Sequence, residues 1–121
     1  MNHNQEIGKK GEELALEFLL EKGFQFVSKN HRIEKAEIDI ILRKDNTIHF
    51  VEVKTLSDFK HHDPHESVNR RKEKTMIQAG EEYLEREGLD LEIQFDVVGI
   101  VLAQPPQIQY FPAAFHGVDY L

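Results

Sequence analysis

Two strand-like segments separated by only two residues constrain the fold of this chain more than any other feature. Residues 37–44 and 47–54 are rich in β-branched and other apolar residues that partly alternate with polar ones, as is typical of strands. The intervening Asp45-Asn46 suits a tight hairpin turn. A two-residue turn fixes the register of both strands, and it therefore decides which side chains face each other.

The other segments predict a mixed β-sheet flanked by helices. Apolar residues at helical spacing predict two helices, each followed by a glycine that suits a helix end. A nearly continuous apolar run predicts a central strand that is buried on both faces. These elements are helix one over residues 4–22, a strand over 24–29, helix two over 65–87, the buried strand over 93–103 and an edge strand over 108–111. The order α-β-β-β-α-β-β belongs to the α/β class.

Length and composition indicate a single domain over residues 1–121 and exclude several kinds of site. A chain of 121 residues suits one hydrophobic core. Because cysteine is absent, a metal ion would need carboxylate, imidazole, carbonyl or water ligands. No segment resembles a membrane span or a signal peptide, so we expect a cytoplasmic protein without a membrane partner. The net charge of −7 argues against nonspecific coating of nucleic acid, which depends on lysine and arginine.

An acid pair and a lysine meet at one place in the predicted hairpin. In its register Asp39 lies directly opposite Glu52, and Lys54 shares the face of Glu52. Like charges in this arrangement cost roughly 0.2–1 kcal/mol, unless a cation lies between them. Asp39, Glu52 and the carbonyl of Val53 would supply hard oxygen ligands for Mg²⁺ or Mn²⁺. Lys54 would orient or deprotonate an attacking water, or neutralise charge on a phosphate, so these groups suit phosphodiester hydrolysis.

Glu12 is a candidate third carboxylate for the same site. It lies at the edge of the core-facing stripe of helix one, beside Ala15 and Leu19. From there it would meet the sheet and contact the metal ion directly or through a water. The alternative is an acid placed near the start of a helix, where the helix dipole favours it.

Alternative interpretations exist for the strand residues as well. Asp39, Glu52 and Lys54 would equally form a solvent-facing polar row on a half-exposed sheet, with the lysine in a surface salt bridge. Asp96 lies within the apolar run and, if buried, needs an arginine, a lysine or backbone donors as partners. We expect a structural role for Asp96 rather than a catalytic one.

The main concentration of basic residues lies in and before helix two. Lys72 continues the apolar stripe of that helix towards the sheet, which makes it the better candidate for a functional role. The other cations suit a solvated helix face somewhat better than they suit contact with DNA. Nearby histidines lack an acid or thiol to complete a zinc site. The candidate nucleic-acid-binding residues are Lys60, Arg70, Arg71, Lys72 and Lys74, and the histidines are His61, His62 and His65.

An acid on one strand followed by acid-x-lysine on the next resembles the signature of the PD-(D/E)xK nuclease superfamily. More closely, the chain resembles the YraN-like family of small bacterial proteins, which are predicted endonucleases related to archaeal Holliday-junction resolvases. The resemblance rests on residues 8–15 (GKKGEELA), 29–32 (KNHR), 37–41 (EIDII), 50–55 (FVEVKT) and 95–98 (FDVV). The chain departs from the family pattern at Ala36, where a glycine is usual, and at Leu56 and Gln94, where arginines are usual.

The resemblance implies a restriction-endonuclease-like fold and a metal site built from Glu12, Asp39, Glu52 and Lys54, loaded with Mg²⁺ or Mn²⁺. It implies cleavage of DNA, with branched DNA such as Holliday junctions as the expected substrate and a homodimer as the expected assembly. The missing arginines weaken phosphate binding and leave the metal chemistry intact. The second hypothesis is a noncatalytic nucleic-acid-binding or processing partner that keeps the nuclease fold, and the third is a small protein-interaction domain.

Overall fold

The computed structural model describes residues 2–121, and its elements follow the order expected from the sequence. They are α1 (His3–Glu21), β1 (Gln25–Ile33), β2 (Ala36–Lys44), β3 (Thr47–Leu56), α2 (Arg70–Glu87), β4 (Glu92–Val101), β5 (Gln107–Phe115) and a 3₁₀ helix (Gly117–Tyr120). The five strands form one sheet in the order β1-β2-β3-β4-β5. Strands β3 and β4, which α2 connects, run parallel, whereas the other neighbours are antiparallel. The predicted mixed α/β sheet is therefore confirmed.

The two helices pack against different hydrophobic clusters of the sheet. Met76 of α2 belongs to a buried cluster with Phe50, whereas Leu19 of α1 belongs to another cluster with Val51. Because successive side chains of a strand point to opposite faces, α1 and α2 cover opposite faces of β3. Strand β4 is buried along most of its length, as its apolar run predicted. Within residues 2–121, no helix has the length and apolarity needed to cross a membrane.

The β2–β3 hairpin has the predicted turn and register. Residues 40–44 pair with residues 47–51, and Asp45 adopts a φ of 55°, which is the left-handed conformation that tight hairpin turns use. The pairing ends one residue before Asp39, whose charge acts on Glu52 of the neighbouring strand. The acid pair therefore coincides with the end of regular pairing between these strands.

Three boundaries differ from the sequence-based expectation by four residues or more. Helix α2 begins at Arg70 rather than at residue 65, because the side chain of Asn69 accepts a hydrogen bond from the backbone N–H of Lys72 and caps the helix there. Strand β1 continues to Ile33 and β5 continues to Phe115, both beyond the predicted ends. Strands β1 and β5 lie at the edges of the sheet. Because strands pair through their backbones, polar side chains on an exposed face do not end the pairing.

Candidate functional site

Glu52 lies at the centre of the candidate site with its carboxyl group almost completely buried. The residue is 6% exposed. Lys54 Nζ lies 3.8 Å from Glu52 Oε1, and Lys72 Nζ lies 3.6 Å from Oε2. Both lysines are about one-third exposed, and Oε2 accepts no hydrogen bond from any group in residues 2–121. The buried carboxyl group is therefore balanced by two lysine charges at ion-pair distance rather than by short hydrogen bonds.

Asp39 occupies the point where β2 and β3 stop pairing. Its Oδ2 accepts a hydrogen bond of 2.8 Å from the backbone N–H of Val53, which links the side chain to the neighbouring strand. The charges of Lys54 and Lys72 act on the carboxyl groups of both Asp39 and Glu52. The two acids therefore share one electrostatic environment between the same two lysines.

Burial raises the pKa of both acids above their ordinary values. Burial raises the pKa of Glu52 to about 7, and the neighbouring charge of Asp39 adds to this effect, against the opposing charges of Lys72 and Lys54. The pKa of Asp39 is also raised by burial, although the hydrogen bond from Val53 opposes the change. A cation between the carboxyl groups would favour their charged forms and lower both pKa values.

Glu12 approaches Asp39 from α1. It is partly buried, and burial followed by the charges of Asp39 and Glu37 raises its pKa to about 7, while the side chain of Asn30 opposes the change. However, no three histidine, aspartate or glutamate side chains of residues 2–121 lie close enough together to hold one metal ion. The geometry therefore does not make Glu12 a third direct ligand, and its contact with a metal ion through a water stays a prediction.

Glu12 and Asp39 line the same pocket, which has a volume of about 390 Å³. Apolar or small residues of its wall include Gly8, Leu16 and Ile40. The remaining lining residues are Gln5, Lys9, Glu13, Lys29 and Asn30. The sequence-based site did not include this pocket, although Gly8, a glycine inside a predicted helix, was an available signal.

The structure brings one predicted basic residue to the acids and leaves the others apart. Lys72 contacts Glu52, as its place on the α2 stripe indicated. The guanidinium of Arg70 lies over the ring of Tyr120, 4.8 Å from its centre. The other candidate nucleic-acid-binding residues are exposed, and they are Lys60, Arg71 and Lys74. Contact between these residues and DNA stays a prediction.

Asp96 is fully buried and accepts hydrogen bonds from four groups. Tyr110 Oη donates at 2.9 Å, Gln94 Nε2 at 3.0 Å and the backbone N–H of Ala113 at 2.9 Å. His49 Nδ1 lies 2.8 Å away, and it must donate because a carboxylate only accepts. Of the expected alternatives, the backbone donor is the one present, and His49, Tyr110 and Gln94 add side-chain donors. This arrangement suits the structural role that the sequence favoured.

The chain matches a protein family over most of its length. The family model described as Uncharacterised protein family UPF0102 covers residues 11–100, a span that contains Glu12, Asp39, Glu52 and Lys54. The chain belongs to the UPF0102 family. This result confirms the YraN-like resemblance at the level of the family, while the description of UPF0102 carries no activity.

Relatives from several bacteria align with this UPF0102 chain over most of its length. UPF0102 protein FP2501 of Flavobacterium psychrophilum is 38% identical over 117 residues, which are 96% of this chain and 98% of the relative. A UPF0102 protein of Christiangramia forsetii is 39% identical over 101 residues, which are 84% and 85% of the two chains. One from Dictyoglomus turgidum is 38% identical over 117 residues, or 93% and 99%. These names carry no chemistry, so a function has to be argued from the site.

Proposed function

We propose that this UPF0102 protein is a metal-dependent endonuclease that hydrolyses DNA phosphodiesters. The observation that supports the proposal most strongly is Glu52 Oε2, a buried acceptor beside a second acid, Asp39, whose ion-pair partner Lys72 lies 3.6 Å away, beyond hydrogen-bond distance. Folded proteins rarely leave such an atom unsatisfied. A divalent cation held by oxygen atoms would satisfy it, and the donor set therefore fits Mg²⁺ or Mn²⁺.

The ligands of that ion would be Asp39, Glu52 and the carbonyl oxygen of Val53, with Glu12 acting through a water. When bound, the ion would polarise the phosphate and make a nearby water more acidic. Burial of Glu52 and Asp39 keeps these carboxylates away from bulk water, so their interaction with a cation is stronger than on an open surface.

Lys54 and Lys72 would have different roles in hydrolysis. Lys54 is 32% exposed and lies 3.8 Å from Glu52, a loose contact that leaves its ammonium accessible to substrate. It would orient or deprotonate the attacking water, or neutralise the phosphate, as a new P–O bond forms and the bond to the leaving strand breaks. Lys72 would partly neutralise Glu52 from the side of α2.

The proposed substrate and the proposed assembly rest on analogy with a related family. The resemblance to Holliday-junction resolvases supports branched DNA as the substrate and a homodimer as the assembly, and neither follows from the fold alone. The exposed cations Lys60, Arg71 and Lys74 would contact phosphates, which position DNA without reading its sequence.

A cleavage assay tests the proposal. The protein is incubated with linear, flapped and four-way DNA in Mg²⁺ or Mn²⁺, beside Lys54→Ala and, as a matched control, Lys35→Ala, which removes an exposed lysine from the β1–β2 turn. We expect cleavage by the parent and by Lys35→Ala, and a rate at least about 100-fold lower for Lys54→Ala. No cleavage of any DNA, or equal rates for both lysine variants, contradicts the assignment.

A noncatalytic nucleic-acid-binding role is the second candidate. Gln94 stands where the resembling family usually has arginine, and its amide donates to Asp96 at 3.0 Å, so it is committed to the interior rather than to a phosphate. Binding of DNA by the parent without cleavage in either metal would favour this role.

A further inference from the structure

The pocket beside Glu12 and Asp39 contains a glycine that the fold does not require. Gly8 lies within α1, where glycine is less favourable than alanine by about 1 kcal/mol. A Cβ atom added at Gly8 would meet nothing within 4 Å, so packing does not demand a glycine there. Gly11 in the same helix differs, because its Cβ would collide with Thr55 Oγ1. Gly8 therefore costs helix stability, and its evident structural effect is to keep the pocket open.

Apart from the acids assigned to the metal site, the lining of this pocket suits a nucleoside better than a single phosphate. Leu16 and Ile40 supply an apolar wall, and the exposed ammonium groups of Lys9 and Lys29 lie along the lining. Its volume of about 390 Å³ falls within the ~300–1,000 Å³ of small-ligand pockets. Such a space holds one base with its sugar, whereas a segment of duplex is too large to enter.

Asn30 adds a group that can recognise the edge of a base. Its φ is 49°, a conformation that few residues other than glycine adopt and that asparagine tolerates best. It follows Lys29, whose backbone pairs with Ile40 in the pocket wall, and its side chain lies beside Glu12. An amide carries both donors and an acceptor, as recognition of a base edge requires.

We propose that this pocket receives one unpaired nucleoside of the substrate strand, next to the phosphate that the acid site cleaves. The inference rests on the proposed nuclease function, because Asp39 places the scissile phosphate at the edge of the pocket. Lys9 and Lys29 contact the flanking phosphates. A paired base must first unstack and unpair, which costs a few kcal/mol and costs least where the DNA is already unpaired. The pocket therefore selects flaps, gaps and branch points over continuous duplex.

Filling the pocket tests this inference directly. Gly8→Leu places an apolar side chain in the space, Gly8→Ala fills less of it, and Asn4→Leu adds the same side chain to α1 at an exposed position outside the lining. Both Gly8 variants should melt at or above the temperature of the parent, because each replaces a helical glycine. In Mn²⁺, Gly8→Leu should cleave flapped DNA at least tenfold more slowly than the parent. Gly8→Ala should show a smaller loss, Asn4→Leu should match the parent, and cleavage of continuous duplex should change less than twofold.

A fluorescent base provides a second readout that does not depend on turnover. In the Lys54→Ala background, 2-aminopurine at the unpaired nucleotide beside the cleavage site should brighten on binding as it leaves the base stack, and Gly8→Leu should abolish this change. Equal cleavage by Gly8→Leu and the parent, an equal loss on duplex and flapped DNA, or a lowered melting temperature of Gly8→Leu each overturn the pocket inference while the nuclease proposal stands. Absence of cleavage by the parent on every DNA overturns both.

Discussion

Two buried carboxyl groups on opposite faces of the sheet differ in how completely their charges are satisfied. Asp96, on the face that α1 covers, is fully buried and accepts four hydrogen bonds. Glu52, on the face that α2 covers, is 6% exposed, yet one of its oxygen atoms accepts no hydrogen bond within residues 2–121 and its pKa is raised to about 7. The donors around Asp96 therefore complete its interactions, whereas Glu52 has two lysine ammonium groups at 3.6 and 3.8 Å.

The largest effect that we predict is the loss of stability in Asp96→Asn. The amide group of asparagine would face donors that now hydrogen-bond to the carboxylate, including His49 and Tyr110. The free energy of unfolding, measured by urea denaturation, should fall by roughly 3 kcal/mol, the scale of a broken buried network. A loss smaller than about 1 kcal/mol would show that Asp96 does not need its donors, and the contrast with Glu52 would disappear.

The second prediction concerns the pH dependence of stability in chelator. Folded Glu52 keeps its proton up to about pH 7, whereas the unfolded chain loses it near 4.5. The folded state thus binds more protons between these values, so the stabilising contribution is complete below pH 4.5 and is lost as the pH rises through 7.

Relative to Glu52→Gln, the parent should therefore lose about 2 kcal/mol of unfolding free energy between pH 5 and pH 8. Urea melts of both proteins across this range provide the measurement. Both proteins contain the same histidines, so the contribution of the histidines to the pH dependence cancels in the difference. Parallel pH profiles for the two proteins would mean that Glu52 titrates normally, as a surface acid does.

The smallest predicted effect comes from Asp39→Asn, which makes the same chemical change as Asp96→Asn in the other region. Without metal, neutralising Asp39 relieves repulsion with Glu52, and the asparagine oxygen still accepts the hydrogen bond from Val53. The variant should be as stable as the parent in chelator, or more stable by up to about 1 kcal/mol. A destabilisation similar to that of Asp96→Asn would assign both acids to structure.

The sequence predicted which residues lie near Glu52 better than it predicted the surroundings of Asp96. The hairpin register of Asp39 and Glu52 follows from a two-residue turn, and the contact of Lys72 follows from helical spacing, so both depend on local rules. The pairing of His49 with Asp96 spans 47 positions and depends on the parallel register of β3 and β4, which no local pattern reveals.

Two other features escaped prediction for physical reasons of the same kind. Helix α2 begins after Asn69 because of a side-chain cap, and a cap is hard to choose among the several polar residues of the preceding loop. Strand β1 continues through a polar segment that includes Asn30, because edge-strand pairing does not require apolar side chains. The pocket beside Glu12 stayed hidden for this reason, since part of its lining comes from that segment.

The binding of a divalent ion by Asp39 and Glu52 is the central claim, and thermal melts with Mn²⁺ test it most directly. The melting temperatures of the parent and of Asp39→Asn are measured in chelator and then in rising Mn²⁺ at constant ionic strength. An ion bound only by the folded state stabilises it by mass action, so the melting temperature of the parent should rise with Mn²⁺ while that of Asp39→Asn stays nearly constant. A parent melting temperature that does not change up to millimolar Mn²⁺, or one that rises equally in both proteins, contradicts the claim.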